Sequence, residues 1–280
     1  MTGTADTNRG VYGLALPDLT SDGGLLVTAP SHWRPWRVLR RRGEAEAVDG
    51  TVGPECARLR LAPEGSLVIE RQSRTSTLTM RNPPSDAELA HPYLSATAAI
   101  AARWEGWQSF HAGGFVVGGG VWGILGEREV GKSSLLAALA GVGVDVLSDD
   151  LLVVREGRGL AGPRCIDLRE GSARALGVGE TIGVVGTRER WRLRLAPVAA
   201  ELPLAGWITL EWGDDESCHQ VPPGERFLRL VDNLTVVLEP PDPPTLLELA
   251  SLPMVTLRRP RRLDTLAPTA EGLVAHLERR

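Results

Sequence analysis

A short glycine-containing stretch carries the clearest chemical signal in the sequence. Residues 126–133 read GEREVGKS and fit the pattern G-x-x-x-x-G-K-[ST]. Lys132, within this stretch, is the only lysine in a chain of 280 residues. Glycines let the backbone approach an anion closely, so that successive N–H groups can surround phosphate oxygens. The stretch therefore predicts a loop that binds the phosphates of a nucleotide.

The individual residue types in this motif have separate physical reasons. The ammonium group of Lys132 is a compact charge that can reach the β- and γ-phosphates, whereas the planar fork of arginine is a poor replacement. The hydroxyl of Ser133 is suited to bind Mg²⁺. Two acids next to a polyanion are unusual, so we expect Glu127 and Glu129 to point outward, with Arg128 offsetting their charge. The predicted nucleotide-binding residues are Gly126, Glu127, Arg128, Glu129, Val130, Gly131, Lys132, Ser133 and Ser134.

A pair of adjacent acids follows the loop after a single predicted helix. The apolar segment 144–148 predicts a strand that ends at Asp149 and Asp150. At the mouth of a sheet, one carboxylate can hold Mg²⁺ or its waters, and a second can accept a proton from an attacking hydroxyl. We therefore predict both aspartates as catalytic residues and Ser133 with Asp149 as metal ligands. The alternative is an ordinary solvated turn.

Composition excludes several other classes of protein. The net charge of −4 argues against general nucleic-acid binding. Three distant cysteines with no C-x-x-C spacing indicate neither a zinc site nor a disulfide framework. No apolar run approaches the roughly 18–20 residues of a membrane span, and the N-terminus lacks the pattern of a secretory signal. We expect a cytoplasmic protein without a membrane segment.

The elements that must position these residues divide the chain into two regions. Six short apolar or alternating runs between Val11 and Met80, separated by turn residues, predict strands. The segment NPPSDAE then marks a boundary, and an Ala-rich segment with helical spacing follows it. Strands and helices alternate in the rest of the chain. We predict a disordered tail (1–9), a small β-rich N-terminal domain (10–85) and an α/β domain with a mixed sheet that carries the phosphate-binding loop (86–280).

The order of these motifs resembles that of the HPr kinase/phosphorylase family, and most closely its shorter relatives, the peptide serine kinases of lasso-peptide biosynthesis. In that family a histidine precedes two strands, the phosphate-binding loop, one helix and a strand that ends in Asp-Asp. Here the series is His111-Ala112, residues 116–120, residues 126–134 and residues 147–150. The resemblance is good over residues 91–175 and weaker in the C-terminal part. It implies a P-loop domain like the C-terminal domain of HPr kinases.

The resemblance also implies a set of roles. It implies ATP and Mg²⁺, phosphoryl transfer to a serine, one of the two aspartates as base, and His111 close by. The longer glycine-rich signature of the full HPr kinases is missing, and the nearest text is CIDLREGSARALG. In that text Asp167, Arg169 and Glu170 are the candidates, and Arg169 is preferred as the phosphate contact. A further arginine that stabilises the transition state could come from RERWRLRL, where sequence does not select among Arg190, Arg192 and Arg194.

Two functional hypotheses follow from these observations. The first is an ATP-dependent kinase that phosphorylates a serine of a peptide or small protein, such as a precursor in ribosomal peptide natural-product biosynthesis. The second is a catalytically silent nucleotide-binding accessory protein that recognises a peptide and assists a partner enzyme. The hexamers of the parent family make a homo-oligomer conceivable.

Overall fold

The computed structural model describes residues 8–45, 47–236 and 243–279 and has a mixed α/β architecture. Residues 1–7 of the predicted tail lie outside the described residues. Arg9, assigned to that tail from sequence, instead opens the first strand, because it pairs with Thr28 and its carbonyl oxygen accepts a hydrogen bond from the Leu16 N–H at 2.8 Å. No helix in the described ranges combines the length and the apolar character needed to cross a bilayer.

Two four-stranded sheets form the N-terminal part of the chain. One has the order β3-β1-β2-β4 and the other the order β5-β8-β7-β6. Strands β6 to β8 form an antiparallel meander, and β5 adds to β8 in parallel. The bounds are β1 Arg9–Val11, β2 Leu14–Ala15, β3 Val27–Thr28, β4 Arg34–Pro35, β5 Arg37–Arg42, β6 Cys56–Leu61, β7 Gly65–Glu70 and β8 Thr75–Met80.

A helical segment connects these sheets to the rest of the chain. It begins with α1 (Asp86–Glu88), where Ser85 and Glu88 form a reciprocal capping box. The chain then kinks at His91, whose backbone is extended (φ −153°, ψ 124°), before α2 (Leu94–Trp104). A short capped helical turn therefore precedes the helix that the Ala-rich run forms.

One hydrophobic core extends across the predicted domain boundary. It joins buried side chains of β5 to β8 and α2 to Leu151, Val153 and Leu160 of the later region. A backbone hydrogen bond also crosses the predicted boundary: the Tyr12 N–H donates to the Ala161 carbonyl oxygen at 2.7 Å. The division at residue 85 stays a prediction, and the two regions share apolar packing.

A nine-stranded mixed sheet forms the centre of the later region. Its strand order is β12-β10-β11-β18-β14-β13-β9, and β20 pairs with both β18 and β19. Strands β11, β18 and β20 run parallel, whereas β10 is antiparallel to both β11 and β12. The bounds are β9 Gln108–Phe110, β10 Ala112–Val117, β11 Gly120–Leu125, β12 Val146–Ser148, β13 Leu152–Arg155, β14 Arg158–Leu160, β18 Glu201–Trp212, β19 Ser217–Gln220 and β20 Met254–Arg259.

Helices cover both faces of this sheet. In β11, Trp122 and Ile124 pack on the side of α3 (Lys132–Gly141) and α7 (Leu266–Glu278). Alternate residues of the strand, including Val121 and Leu125, pack on the side of α5 (Pro223–Val231) and α6 (Pro243–Ser251). Burial on both faces explains why this strand reads as a continuous apolar run.

A fourth, smaller sheet packs against α3. It has the order β15-β17-β16 and is antiparallel, with α4 between its first two strands in sequence. The bounds are β15 Cys165–Leu168, α4 Glu170–Leu176, β16 Glu180–Val185 and β17 Arg188–Arg194. This sheet carries the arginine-rich segment that sequence left unresolved.

Two tryptophans on β18 allow the packing of the central sheet to be tested. Trp207 is fully buried, and its indole N–H donates to the Leu249 oxygen at 3.0 Å. We expect Trp207→Ala to lower the free energy of unfolding by about 3–5 kcal/mol because it opens a large cavity. Trp212 on the same strand is 37% exposed, so Trp212→Ala should cost about 1 kcal/mol or less. Equal midpoints in urea denaturation for the two variants would contradict this packing.

Candidate functional site

The glycine motif forms the connection between β11 and α3. Gly126 and Gly131 both have positive φ angles, of 146° and 90°. A Cβ at Gly131 would lie 2.3 Å from a guanidinium nitrogen of Arg259, so only glycine fits there. Helix α3 begins at Lys132, immediately after this glycine. The free N–H groups at the start of the helix and the loop therefore face the same region, which is the arrangement that binds anions.

Lys132 folds back over the loop. Its Nζ donates hydrogen bonds to the carbonyl oxygens of Gly126 at 2.5 Å and of Glu127 at 3.0 Å. Burial lowers the pKa of the Lys132 ammonium from its usual value, and the carboxylates of Asp150 and Asp149 oppose that shift. The only lysine of the chain thus lies at the mouth of the loop, among carbonyl and carboxylate oxygens.

The two residues after Lys132 connect the loop to neighbouring elements. Ser133 Oγ donates to Asp149 Oδ1 at 2.9 Å, and Ser134 Oγ lies 3.0 Å from Ser172 Oγ. The first of these bonds joins the loop to the acid doublet predicted from sequence. The hydroxyl and the carboxylate predicted as metal ligands are therefore in direct contact.

The aspartate doublet follows the end of β12. Asp149 is buried, and its Oδ2 has no hydrogen-bond partner within the described chain. Burial, followed by the neighbouring carboxylate of Asp150, raises the pKa of Asp149 well above its usual value. Asp150 has a φ of 63° and lines a cleft. The pair thus consists of one buried carboxylate and one that faces open space.

His111 lies between β9 and β10 and lines the same cleft as the loop. Its backbone N–H donates to the Asn233 oxygen at 2.7 Å, and Asn233 Oδ1 accepts from the Gly126 N–H at 3.0 Å. Part of the His111 side chain is exposed to the cleft. Partial burial lowers the pKa of the imidazole, and the positive charges of Lys132 and Arg128 lower that pKa further. Asn233 therefore connects the His111 segment to the start of the loop. No sequence motif indicated this role of Asn233.

The two acids of the loop are exposed and line the cleft, and the ion-pair partner of Glu129 is not its neighbour Arg128. Glu127, Arg128 and Glu129 are exposed, and the Glu129 carboxylate forms an ion pair with Arg169. Arg169 precedes α4 and lines the same cleft as the loop. In the structure, Arg169, the predicted phosphate contact, is therefore paired with the Glu129 carboxylate.

The three candidate arginines of β17 have different surroundings. Arg192 is buried and pairs with Asp167 through its Nε, at 2.7 Å from Oδ1, and its Nη2, at 2.9 Å from Oδ2. Arg194 donates to the Gly23 oxygen and is exposed. Arg190 lies 3.4 Å from Asp167 and lines the cleft. Among the three, Arg190 is the one that faces the site.

His91 is a neighbour of the site that sequence analysis missed. It is buried, and neither ring nitrogen makes a hydrogen bond to any described residue; Nε2 lies 3.6 Å from Asp167 Oδ2. One of its ring nitrogens and one oxygen each of Asp149 and Asp150 lie within 4.8 Å of one another, a spacing that could hold a cation. Its sequence context, His-Pro before a helix, gave no signal because the proximity depends on tertiary packing.

A large cleft joins these groups. Its volume is about 1810 Å³, whereas pockets for single small ligands measure about 300–1,000 Å³. Its lining includes the loop, Asp150, His111 and Arg190, and it continues to apolar residues of α2 and the N-terminal sheets. The cleft lies at the carboxyl ends of β11, β18 and β20, where ligands bind in open α/β sheets. The space is large enough for a nucleotide together with a second molecule.

Comparisons with known proteins add a distant structural similarity. No protein-family model and no curated protein matches the chain. Among solved structures, the chain is similar to the HPr(Ser) kinase/phosphatase from Coxiella burnetii, with 14% sequence identity and a TM-score of 0.32. The match covers 61% of this chain and 95% of the other. A similarity this low does not show a shared function. The residues of the site are the basis for the function proposed below.

The buried ion pair behind the site is open to a stability test. We expect Arg192→Met to lower the free energy of unfolding by about 3–5 kcal/mol, because the buried Asp167 carboxylate loses its bidentate partner. Arg188 is exposed on the same strand, so Arg188→Met should stay within about 0.5 kcal/mol of wild type. Guanidinium denaturation measures both, and a wild-type midpoint for Arg192→Met would refute a structural role for the pair.

Proposed function

We propose that the protein is an ATP-dependent kinase of the HPr kinase-like family that phosphorylates a serine hydroxyl on a peptide or small protein. The observation that carries the proposal is the hydrogen bond between Ser133 Oγ and Asp149 Oδ1. It brings the hydroxyl of a phosphate-binding motif and a strand-end carboxylate together at the mouth of the loop. Order along the chain and geometry at the site therefore support the same chemistry.

The site fits a nucleoside triphosphate with its cation. The loop conformation requires glycine at Gly126 and Gly131, where φ is positive and a Cβ would clash with Val130 or Arg259, and Lys132 supplies a positive charge beside the loop. Ser133 Oγ and the free Asp149 Oδ2 are oxygen ligands of the kind that Mg²⁺ prefers. Mg²⁺ bound there would neutralise charge on the phosphates. The buried Asp149 carboxylate, which has no cationic partner at contact distance in the described chain, is suited to that ion.

Asp150 is the better candidate for the base, because it faces the cleft and Asp149 is bound to Ser133. In the transfer, the acceptor oxygen forms a bond to the γ-phosphorus while the bond to the ADP oxygen breaks. Asp150 takes the proton that the acceptor hydroxyl loses. Arg190 can stabilise the charge that develops on the transferred group, and Arg169 can join it once released from Glu129. His111, next to Lys132, helps to position the phosphates.

The shape of the cleft supports a peptide as the acceptor. Beyond the loop it is lined by apolar side chains of α2, including Ala96 and Ile100, and by Val52 and Leu59 of the N-terminal region. A mainly apolar extension suits the side chains flanking a serine better than it suits a small polar metabolite. A cytoplasmic precursor peptide of ribosomal natural-product biosynthesis is the first acceptor to test.

The ion pair between Arg169 and Glu129 favours a second candidate function. It engages the arginine that would contact phosphate and ties it to the loop. A protein that keeps this pair in the nucleotide-bound state would bind ATP without transferring phosphate. It would then act as a peptide-recognising accessory to a partner enzyme.

The kinase proposal is tested by incubating the protein with ATP, Mg²⁺ and candidate precursor peptides and measuring the mass of each peptide. We expect wild type to add a phosphate to a serine. Asp150→Asn should reduce the rate by about 10²–10⁴-fold, the usual contribution of a general base, while ATP binding persists. Lys132→Ala should lose ATP binding and transfer together.

The matched control is Glu156→Gln, an exposed acid that lies outside the cleft. It should keep the wild-type rate. ATP binding that is lost in Lys132→Ala, without a phosphorylated product for any peptide, would favour the accessory function. Equal ATP binding by wild type and Lys132→Ala would contradict both functions.

A further inference from the structure

Trp212 is a partly exposed aromatic side chain beside the phosphate-binding loop. It ends β18, the strand parallel and adjacent to β11, and the residue is 37% exposed. An atom of its six-membered ring lies 3.5 Å from where a Cβ on Gly131 would be. Trp212 lines the cleft together with the loop. Neither the proposed metal ligands nor the proposed proton acceptor, Asp150, accounts for an aromatic surface at this position.

Arg259 ties this tryptophan to the loop. It ends β20, the next parallel strand, and only 2% of it is exposed. Its guanidinium donates to the carbonyl oxygens of Val130 at 3.2 Å and Gly131 at 3.4 Å, and its Cζ lies 4.4 Å from the centre of the Trp212 ring. The loop backbone and the indole are thus held by one buried cation, which fixes the tryptophan relative to the phosphate site.

Strand order separates this tryptophan from the acid doublet. The order β12-β10-β11-β18 puts Asp149 and Asp150 after a strand on one side of β11 and Trp212 at the end of a strand on the other side. A nucleotide with its terminal phosphate at the aspartates and its phosphate chain over the loop would extend its base toward β18. Trp212 lies in that direction.

Arg261 adds a second group with the same chemistry. It lines the cleft, its Cζ lies 5.7 Å from the centre of the Trp212 ring, and it makes no ion pair with any described residue. Indole and guanidinium planes both stack on nucleobases, and stacking on an aromatic side chain contributes about 1–3 kcal/mol per base. The geometry points to Trp212 and Arg261 as the binding site for the base of the nucleotide, an inference that rests on the proposed ATP-dependent function.

The test compares a ligand that has a base with one that has only phosphates. Calorimetry measures the affinities for Mg·ATP and Mg·tripolyphosphate in wild type, Trp212→Ala, Trp212→Phe and Trp107→Ala. We expect Trp212→Ala to weaken ATP binding by about 5- to 150-fold and to leave tripolyphosphate binding unchanged. Trp212→Phe, which keeps an aromatic face, should retain most of the ATP affinity. Trp107 also stacks with an arginine but lies outside the cleft, so Trp107→Ala should bind both ligands normally.

The remaining outcomes separate this inference from the proposed function. Unchanged ATP affinity in Trp212→Ala, or an equal loss of affinity for both ligands, overturns the base site but leaves the proposed function standing, because wild type still binds Mg·ATP. Wild type that binds neither ligand overturns the proposed function and the base site with it. Thermal unfolding of each variant shows that any loss of binding occurs in folded protein.

Discussion

The hydrogen bond between Ser133 and Asp149 is the contact on which the site depends. It joins the first turn of α3 to the end of β12, and so fixes the loop relative to the acid doublet. Asp149 is buried with one oxygen that makes no hydrogen bond to the described chain. A buried carboxylate with so few partners is costly in free energy. A cation shared with a bound phosphate would offset that cost, and this links the structure of the resting site to its proposed function.

The surrounding fold holds this contact in place. Strand β10 lies between β11 and β12, so the residues that follow those two strands meet at one edge of the sheet. Behind the doublet, the Asp167–Arg192 pair compensates a second buried carboxylate of this region, and Arg192 also donates to the His91 backbone oxygen at 2.8 Å. Although burial acts to raise it, the arginines and His91 hold the pKa of Asp167 below its usual value. Asp167 is thus engaged in structure, which leaves Asp149 and Asp150 for ligands.

Local sequence patterns predict the features that are set by neighbouring residues. The motif from Gly126 to Ser133 predicted a strand, a loop and a helix because glycine spacing and apolar runs act over a few residues, and the mixed α/β architecture is found. Residues brought in from distant segments left no such pattern. His91, Asn233 and Trp212 reach the site through tertiary packing. The ion pair of Glu129 depends on tertiary packing in the same way: Arg128 is adjacent in sequence, but Arg169 is adjacent in space.

The central claim is that Ser133 and Asp149 act on the same Mg·ATP. A double-mutant cycle of Ser133→Ala and Asp149→Asn, with Mg·ATP affinity measured by calorimetry, tests it most directly. Groups that serve one ion should show a coupling energy of about 0.5–3 kcal/mol, with the double variant little weaker than the worse single variant. Additive losses, within about 0.3–0.5 kcal/mol, would mean that the two residues act independently and would contradict the account.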